Sequence, residues 1–266
     1  MINETFLHLT GVGPVTEQRI RAGGVLDWDT ALARPEVLPF AGQRLAKLID
    51  QLKGCRAALE ADDIGFLVNT LVKKEQWRIL RRYFERATYF DLETSDLSYD
   101  AYVTVIVVWH RGELLRFVHG ENLDDFLDLL DDVDLLVSFN GTTFDIPQVL
   151  RAWNIHEIPC PHIDLRWQCY HCGWRGGLKQ IERKLDITRP EALRDVDGHM
   201  AVWLWRRWKY HQDKDSLDLL VYYCGADVIT LPMLIEKILT HKSVSLSNTG
   251  KTTRWEQLES LFADRR

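Results

Sequence analysis

The sequence predicts an α/β domain, a mixed sheet flanked by helices, preceded by a small helical N-terminal region. Two observations carry that expectation. From Ala87 to about Leu239 the apolar pattern runs as three strands, a helix, a strand and then further helices, an order that a sheet covered by helices accommodates. Within it, Tyr102 to Trp109 (YVTVIVVW) is rich in β-branched residues and too continuously apolar to be half exposed. Hydrophobic residues make up 46% of the 266 positions, enough for a sizeable core.

The elements divide the chain into a helical region at 1–86, the α/β domain at 87–240 and a polar C-terminal tail at 241–266. ATYFDLET opens the α/β domain as a strand, and Glu113 to Val118 returns as the third strand after a turn at Gly112. In ENLDDFLDLLDD, Leu123, Phe126, Leu127 and Leu130 fall at helical spacing, so Asp124, Asp125, Asp128 and Asp131 form a solvated face. LLVSF (135–139) reads as a buried strand and Phe144 to Trp153 as a helix or its entry. Further helices are expected near Leu178–Leu185, His199–Tyr210 and Leu217–Leu239, the last disrupted by Pro232.

A net charge of −6 argues against a binder that works through bulk positive charge, but not against an enzyme that holds cations with carboxylates. No apolar run is expected to reach the length of a membrane span, the best candidate, Tyr102 to Trp109, having strand length, and MINETFLHLTGVGP lacks the pattern of a secretory signal. Five cysteines, an odd number without framework spacing, suggest a reducing compartment, and a cytoplasmic location is expected.

The candidate chemistry rests on acids. Asp91 and Glu93 lie two apart on a strand, so both side chains share a face while Phe90 and Leu92 take the other. Two carboxylates side by side repel and lose solvation unless a cation sits between them; the plain alternative is an exposed strand end. Asp145 follows the strand LLVSF in VSFNGTTFD, either as a functional group at a strand end or as an ordinary helix-start aspartate. Asp227 lies four residues after Tyr223, on the same helical face beside an apolar stripe, where an unpaired aspartate is costly.

Taken in order, FDLET, VSFNGTTFD and YYCGAD resemble the three motifs of the DEDD exonucleases of the ribonuclease H-like superfamily, and the Tyr223–Asp227 spacing is similar to the tyrosine subclass. More closely, the chain resembles the YprB-like ribonuclease H-like proteins, with HIDLRW (162–167) and GGLKQIE (176–182) between the second and third motifs. The resemblance implies a two-metal 3′–5′ exonuclease acting on DNA or RNA, with single strands or 3′ ends as substrate and two Mg²⁺ or Mn²⁺ ions as cofactors. It implies that Asp91 bridges the ions, that Glu93 and Asp227 complete one site and that Asp145 supports the other. Tyr223 would orient the attacking water, since a phenol with a pKa near 10 is a poor base at neutral pH. Asn140 and Phe144, beside the second acid, are candidate nucleic-acid contacts.

Residues 6–32 resemble a helix-hairpin-helix element, in which Gly11 and Gly13 would offer backbone N–H groups to a phosphate. A packing motif that touches no nucleic acid explains the same residues equally well. Lys73 to Arg86 reads as one helix carrying Arg78, Arg82 and Arg86 on a face, either a guide for a phosphate backbone or a salt-bridged surface. Val202, Trp205 and Trp208 recur at i,i+3 spacing and read as one packed face, with base stacking by the tryptophans of Trp203 to Trp208 as the alternative. Cys160, Cys169 and Cys172 lack the second C-x-x-C that a structural zinc site would need. Two rival functions stand beside the nuclease: a non-catalytic nucleic-acid-binding module of the same fold, and a phosphoesterase for small substrates.

Overall fold

The computed structural model describes residues 1–96, 98, 100–193, 196–246 and 254–265, and the side chains of that set up to residue 261. Two units divide it, Met1–Tyr83 and Phe84–Arg266.

In the first unit five helices follow one another: α1 (Pro14–Ala22), α2 (Trp28–Ala33), α3 (Gly42–Glu60), α4 (Ile64–Thr70) and α5 (Trp77–Arg82). Their starts carry the residues that satisfy free backbone N–H groups: Pro14 follows the Gly13 cap, and the Asp27 and Asp63 carboxylates accept from Thr30 and Phe66 N–H. Phe6, Ile20, Trp28, Leu48, Leu52 and Leu67 form the core, and Trp28 Nε1 donates to the Thr5 carbonyl at 2.7 Å. Gly11 takes φ +75°, and its carbonyl accepts from the Arg44 guanidinium at 3.0 Å. Arg21, one of the cations near this turn, donates to the Glu4 carbonyl.

The single basic helix expected over Lys73–Arg86 does not form. A 3-10 turn at Lys73–Glu75, α5 and a second 3-10 turn at Phe84–Arg86 replace it. Trp77, Ile79, Leu80, Tyr83 and Phe84 are all buried, more apolar surface than one helical stripe can turn inward. Arg78 is ion-paired with Glu75 at 2.8 Å and Arg86 with Asp134 at 3.0 Å, so no common cationic face results.

The second unit is built on a five-stranded sheet in the order β3-β2-β1-β4-β5, from β1 (Ala87–Thr94), β2 (Val103–His110), β3 (Glu113–Val118), β4 (Leu135–Ser138) and β5 (His162–Asp164). The first three pair antiparallel, whereas β4 runs parallel to β1 and β5 parallel to β4. The helices of this unit are α6 (Asp125–Leu130), α7 (Asp145–Ala152), α8 (Leu165–His171), α9 (Leu178–Lys184), α10 (Gly198–His211) and α11 (Lys214–His241). Side-chain alternation along β1 sorts its two faces. Phe90 and Leu92 join Ile106, Phe117, Phe126 of α6 and Val149 of α7 in one cluster. Asp91 faces the other way, where Cys224 of α11 meets it. The acidic face of α6 is exposed, as the pattern predicts.

Three features depart from the sequence pattern. β5 has only three residues, too few to register as a strand in an apolar profile. α11 continues through Pro232, and by length and mean hydropathy it could cross a bilayer, although most of it is buried in this unit. Part of the stretch expected as a polar tail, Arg254–Arg265, forms a 3-10 helix whose Leu258 and Leu261 are buried; residues 247–253 lie outside the described set. Gly225 of α11 admits those leucines, because a Cβ there would stand 2.8 Å from Leu261 and 2.9 Å from Leu258.

Candidate active site

The four acids singled out in the sequence converge. β1 is the central strand, and its odd-numbered side chains bring Asp91 and Glu93 to the face covered by α11. Opposite them α11 presents Tyr223 and Asp227, one helical turn apart. Asp145 enters from the first residue of α7. Asp91, Glu93, Asn140, Phe144, Asp145 and Asp227 are among the residues that line a cavity of about 230 Å³.

The loop between β4 and α7 is held by Asp164, at the end of β5. Its Oδ1 accepts from Asn140 N–H at 2.8 Å and Arg166 N–H at 2.9 Å, and its Oδ2 accepts from Thr142 N–H at 3.1 Å. Asn140 adopts φ +69°, a left-handed conformation that asparagine tolerates better than most residues. At Gly141 a Cβ would lie 2.0 Å from Ser138 Oγ and 3.3 Å from Asp145 Oδ2, so only glycine lets the loop pass this close.

Burial dominates the electrostatics. Asp91 and Glu93 keep part of their surface on the cavity, yet enough protein surrounds them to push both well above ordinary carboxylate values. Loss of solvation is the first cause, and the neighbouring charges of Asp227 and Asp145 add to it. Asp145 rises from 3.8 to about 7, chiefly by burial, against opposing backbone hydrogen bonds. Among the described residues its Oδ1 is buried without a hydrogen-bond partner. A buried acceptor left unmade calls for a specific explanation, and a bound cation supplies one.

Asp227 differs from the other three. Arg189 donates to its Oδ1 and also grips Glu182 through two nitrogens at 2.7–3.0 Å. Thr230 Oγ1 donates to the same Glu182 at 2.7 Å. Burial still raises the Asp227 carboxyl, and the Arg189 charge works against that rise. Tyr223 is buried, with the Lys179 ammonium 4.4 Å from its ring centroid. Burial and the nearby carboxylates raise its phenol above the ordinary tyrosine value, so the protonated phenol is the form present near neutral pH.

Which groups could hold a metal follows from donor chemistry. Ligand atoms of Asp91, Glu93 and Cys224 lie within 4.8 Å of one another. Burial keeps the Cys224 thiol protonated, and it donates to the Asp91 backbone carbonyl at 3.3 Å. A hard cation such as Mg²⁺ prefers carboxylate oxygen to sulfur, so the carboxylates fit the ion and Cys224 belongs to their support. Cys160 and Cys169 are buried free thiols, each pushed up to about 12 by loss of solvation. Gly11 and Gly13 lie in the first unit.

Sequence reasoning did not assign roles to Lys179, Glu182, Arg189, Asp164 or Cys224. Lys179 and Glu182 sit in GGLKQIE and Asp164 in HIDLRW, so those two segments were the available signal. Arg189 had none, because its partner Asp227 lies 38 residues away.

The sheet order, with two parallel strands added beyond an antiparallel trio, defines a ribonuclease H-like fold, and the acids stand on its central strand and the helices against it. The sequence profile of the RNase_H superfamily matches residues 88–239, more than half of the chain, and the chain belongs to this family. Among solved structures it is similar to a family B DNA polymerase from the hyperthermophilic archaeon Pyrobaculum calidifontis, with 16% identity and a TM-score of 0.46. That match covers 65% of this chain and 27% of the polymerase, so the chain spans about a quarter of the polymerase's length. No curated protein matches the sequence.

Proposed function

We propose that the protein is a metal-dependent nuclease that hydrolyses phosphodiester bonds of DNA or RNA, working as a 3′–5′ exonuclease. The observation that carries this reading is the convergence of Asp91, Glu93, Asp145 and Asp227 on one small cavity, with a buried Asp145 oxygen that no group among the described residues satisfies. Clustered buried acids with strongly raised pKa values are unfavourable in isolation, and such arrangements concentrate at functional sites. Two divalent ions, Mg²⁺ or Mn²⁺, would supply charge stabilisation at the attacking and leaving oxygens of an in-line displacement. Asp91, Glu93 and Asp145 would hold them, joined by Asp227 through the oxygen that Arg189 leaves available. Tyr223 orients water through its hydroxyl, while Asn140 and Phe144 border the cavity where the terminal nucleotide would lie.

One observation favours a second reading. Arg189 already neutralises Asp227, as expected of a domain that binds nucleic acid without cutting it. A single experiment separates the two. End-labelled single- and double-stranded DNA and RNA are incubated with Mg²⁺, Mn²⁺ or EDTA, with Asp91→Asn and Asp227→Asn as controls. The nuclease reading expects metal-dependent cleavage, lost in both variants, with mononucleotides released from the 3′ end. Cleavage at the parent rate in the variants would place the chemistry elsewhere. Binding without cleavage in any metal would support the second reading.

A further inference from the structure

Beside the carboxylate cavity lies a second, larger one of about 430 Å³ to which no role has been given. Its walls are Trp167 and Tyr170 of α8, Trp174, Arg166 and Arg175, together with the outer side of the Asn140–Thr143 loop. Asn140 lines both cavities, so this loop is the wall between them. A volume of this size is within the range of pockets that enclose small organic groups.

The lining is chemically selective. Trp167 and Tyr170 are three residues apart on α8, so they share a helix face, and they remain 39% and 47% exposed. Their rings stand 6.3 Å apart in an edge-to-face arrangement. Trp174 is half-buried and adds a third ring. The Arg175 guanidinium lies 4.9 Å from the Tyr170 ring centroid. The acid in the lining, Asp164, has both oxygens committed to the N–H groups of residues 140, 142 and 166. The cavity therefore offers aromatic faces and two guanidiniums, that of Arg166 already donating through Nη1 to Asn140 Oδ1, with its carboxylate turned inward. Flat, electron-rich π surfaces linked to negative charge match that combination, whereas a cationic ligand would meet like charge.

We propose that this cavity binds an unpaired nucleobase, one or more nucleotides from the bond being cut, with its phosphate near Arg166 and Arg175. The proposal rests on the nuclease reading of the adjoining cavity and adds to it a base-holding site outside the carboxylate cluster, one that takes only a base free to leave the stack. A paired base has its faces occupied by neighbours and would not enter, while stacking on aromatic side chains tolerates any base. The occupant is a nucleic-acid strand because Asn140 borders both cavities, so a chain that reaches the carboxylates passes beside this one. A strand crossing that loop places its backbone over the acids while a neighbouring base stacks against the rings of Trp167, Tyr170 and Trp174.

The test measures binding apart from cleavage. Fluorescein-labelled dA and rA octamers, an abasic octamer of equal charge and a hairpin duplex are titrated by anisotropy in EDTA. The parent protein, Trp167→Ala, Tyr170→Ala and Trp167→Phe are compared, and thermal melts verify folding. The expected result is single-strand binding that weakens about 5- to 100-fold for each aromatic lost. Trp167→Phe should retain most of the affinity, because it keeps a stacking face, and the abasic and duplex probes should bind more weakly than the octamers. The dA and rA arms show whether the site separates DNA from RNA. Equal affinity of parent and alanine variants, or equal affinity for the abasic strand, would overturn the proposal. Cleavage of the same octamers in Mn²⁺ keeps the two readings apart. If the parent cuts and the alanine variants bind and cut alike, the base site fails alone. If the parent binds the octamers through these aromatics yet never cuts, the nuclease reading fails alone.

Discussion

Replacing Asp145 by asparagine should stabilise the metal-free protein, and more so as the pH rises. The folded-state pKa of Asp145 is about 7, against an ordinary value of 3.8. Because the value is raised on folding, its stabilising contribution is complete below about pH 4 and is lost as pH climbs through 7. Moving that proton equilibrium from 3.8 to about 7 corresponds to roughly 4 kcal/mol, at about 1.4 kcal/mol per pH unit. The figure is an upper bound, since the carboxylates of this site share charge and the cavity admits solvent. Asparagine keeps the shape and removes the charge, and it also relieves Asp91 and Glu93, both of which the Asp145 charge pushes upward.

The assay is thermal or urea unfolding in EDTA at pH 4, 6 and 8. For a protein of this size each kcal/mol moves Tm by about 2–4 °C, so a gain of several degrees is expected at pH 8 and little at pH 4. Excess Mg²⁺ or Mn²⁺ should reverse the order at pH 8, because the parent gains binding free energy that the variant lacks. A variant no more stable than the parent at pH 8 in EDTA would refute the argument. It would mean that the orphaned oxygen of Asp145 is solvated or paired in solution, and the main support for a cation there would be gone.

Three further outcomes follow from the same geometry. Gly141→Ala should lower stability by about 1–3 kcal/mol, as overpacking does, and displace Asp145; urea denaturation and nuclease activity should fall together. Arg189→Ala leaves Glu182 and Asp227 buried without their cation, and loss of one partner from such an ion pair costs about 3–5 kcal/mol; urea denaturation at pH 7 measures it. Tyr223→Phe should reduce kcat of the proposed nuclease while leaving the pH–rate profile in place, because the phenol orients water rather than titrating; a moved acidic limb in that profile would assign it a proton-transfer role.

Much of this site is legible in the sequence because local geometry places it. Two-residue alternation puts Asp91 and Glu93 on one face of β1, and the four-residue spacing puts Tyr223 and Asp227 on one face of α11. Asp145 follows from its position after a buried strand. What escapes is whatever depends on tertiary contact. β5 exists because three backbone residues pair with β4, a contact that no apolar period encodes. The pattern over Lys73–Arg86 predicts one helix with its arginines on a face, but the buried residues among them break it into three pieces.

The counter-charge shows the limit most sharply. A cluster of buried acids implies that a cation must be near, yet the sequence does not say whether it is a metal or a side chain. The structure assigns Arg189 to Asp227 and Glu182. Among the described residues it places no ion pair on Asp91, Glu93 or Asp145. The charges of Lys179 and Arg189 oppose the rise of Glu93 but rank below burial and the neighbouring acids. The uncompensated charge is therefore concentrated on the two acids of β1 and the one at the start of α7. In the proposed nuclease Asp227 would complete a metal site while sharing its carboxylate with Arg189. Arg189 would then set how strongly Asp227 contributes, and it stands out of reach of any reading that counts acids by motif.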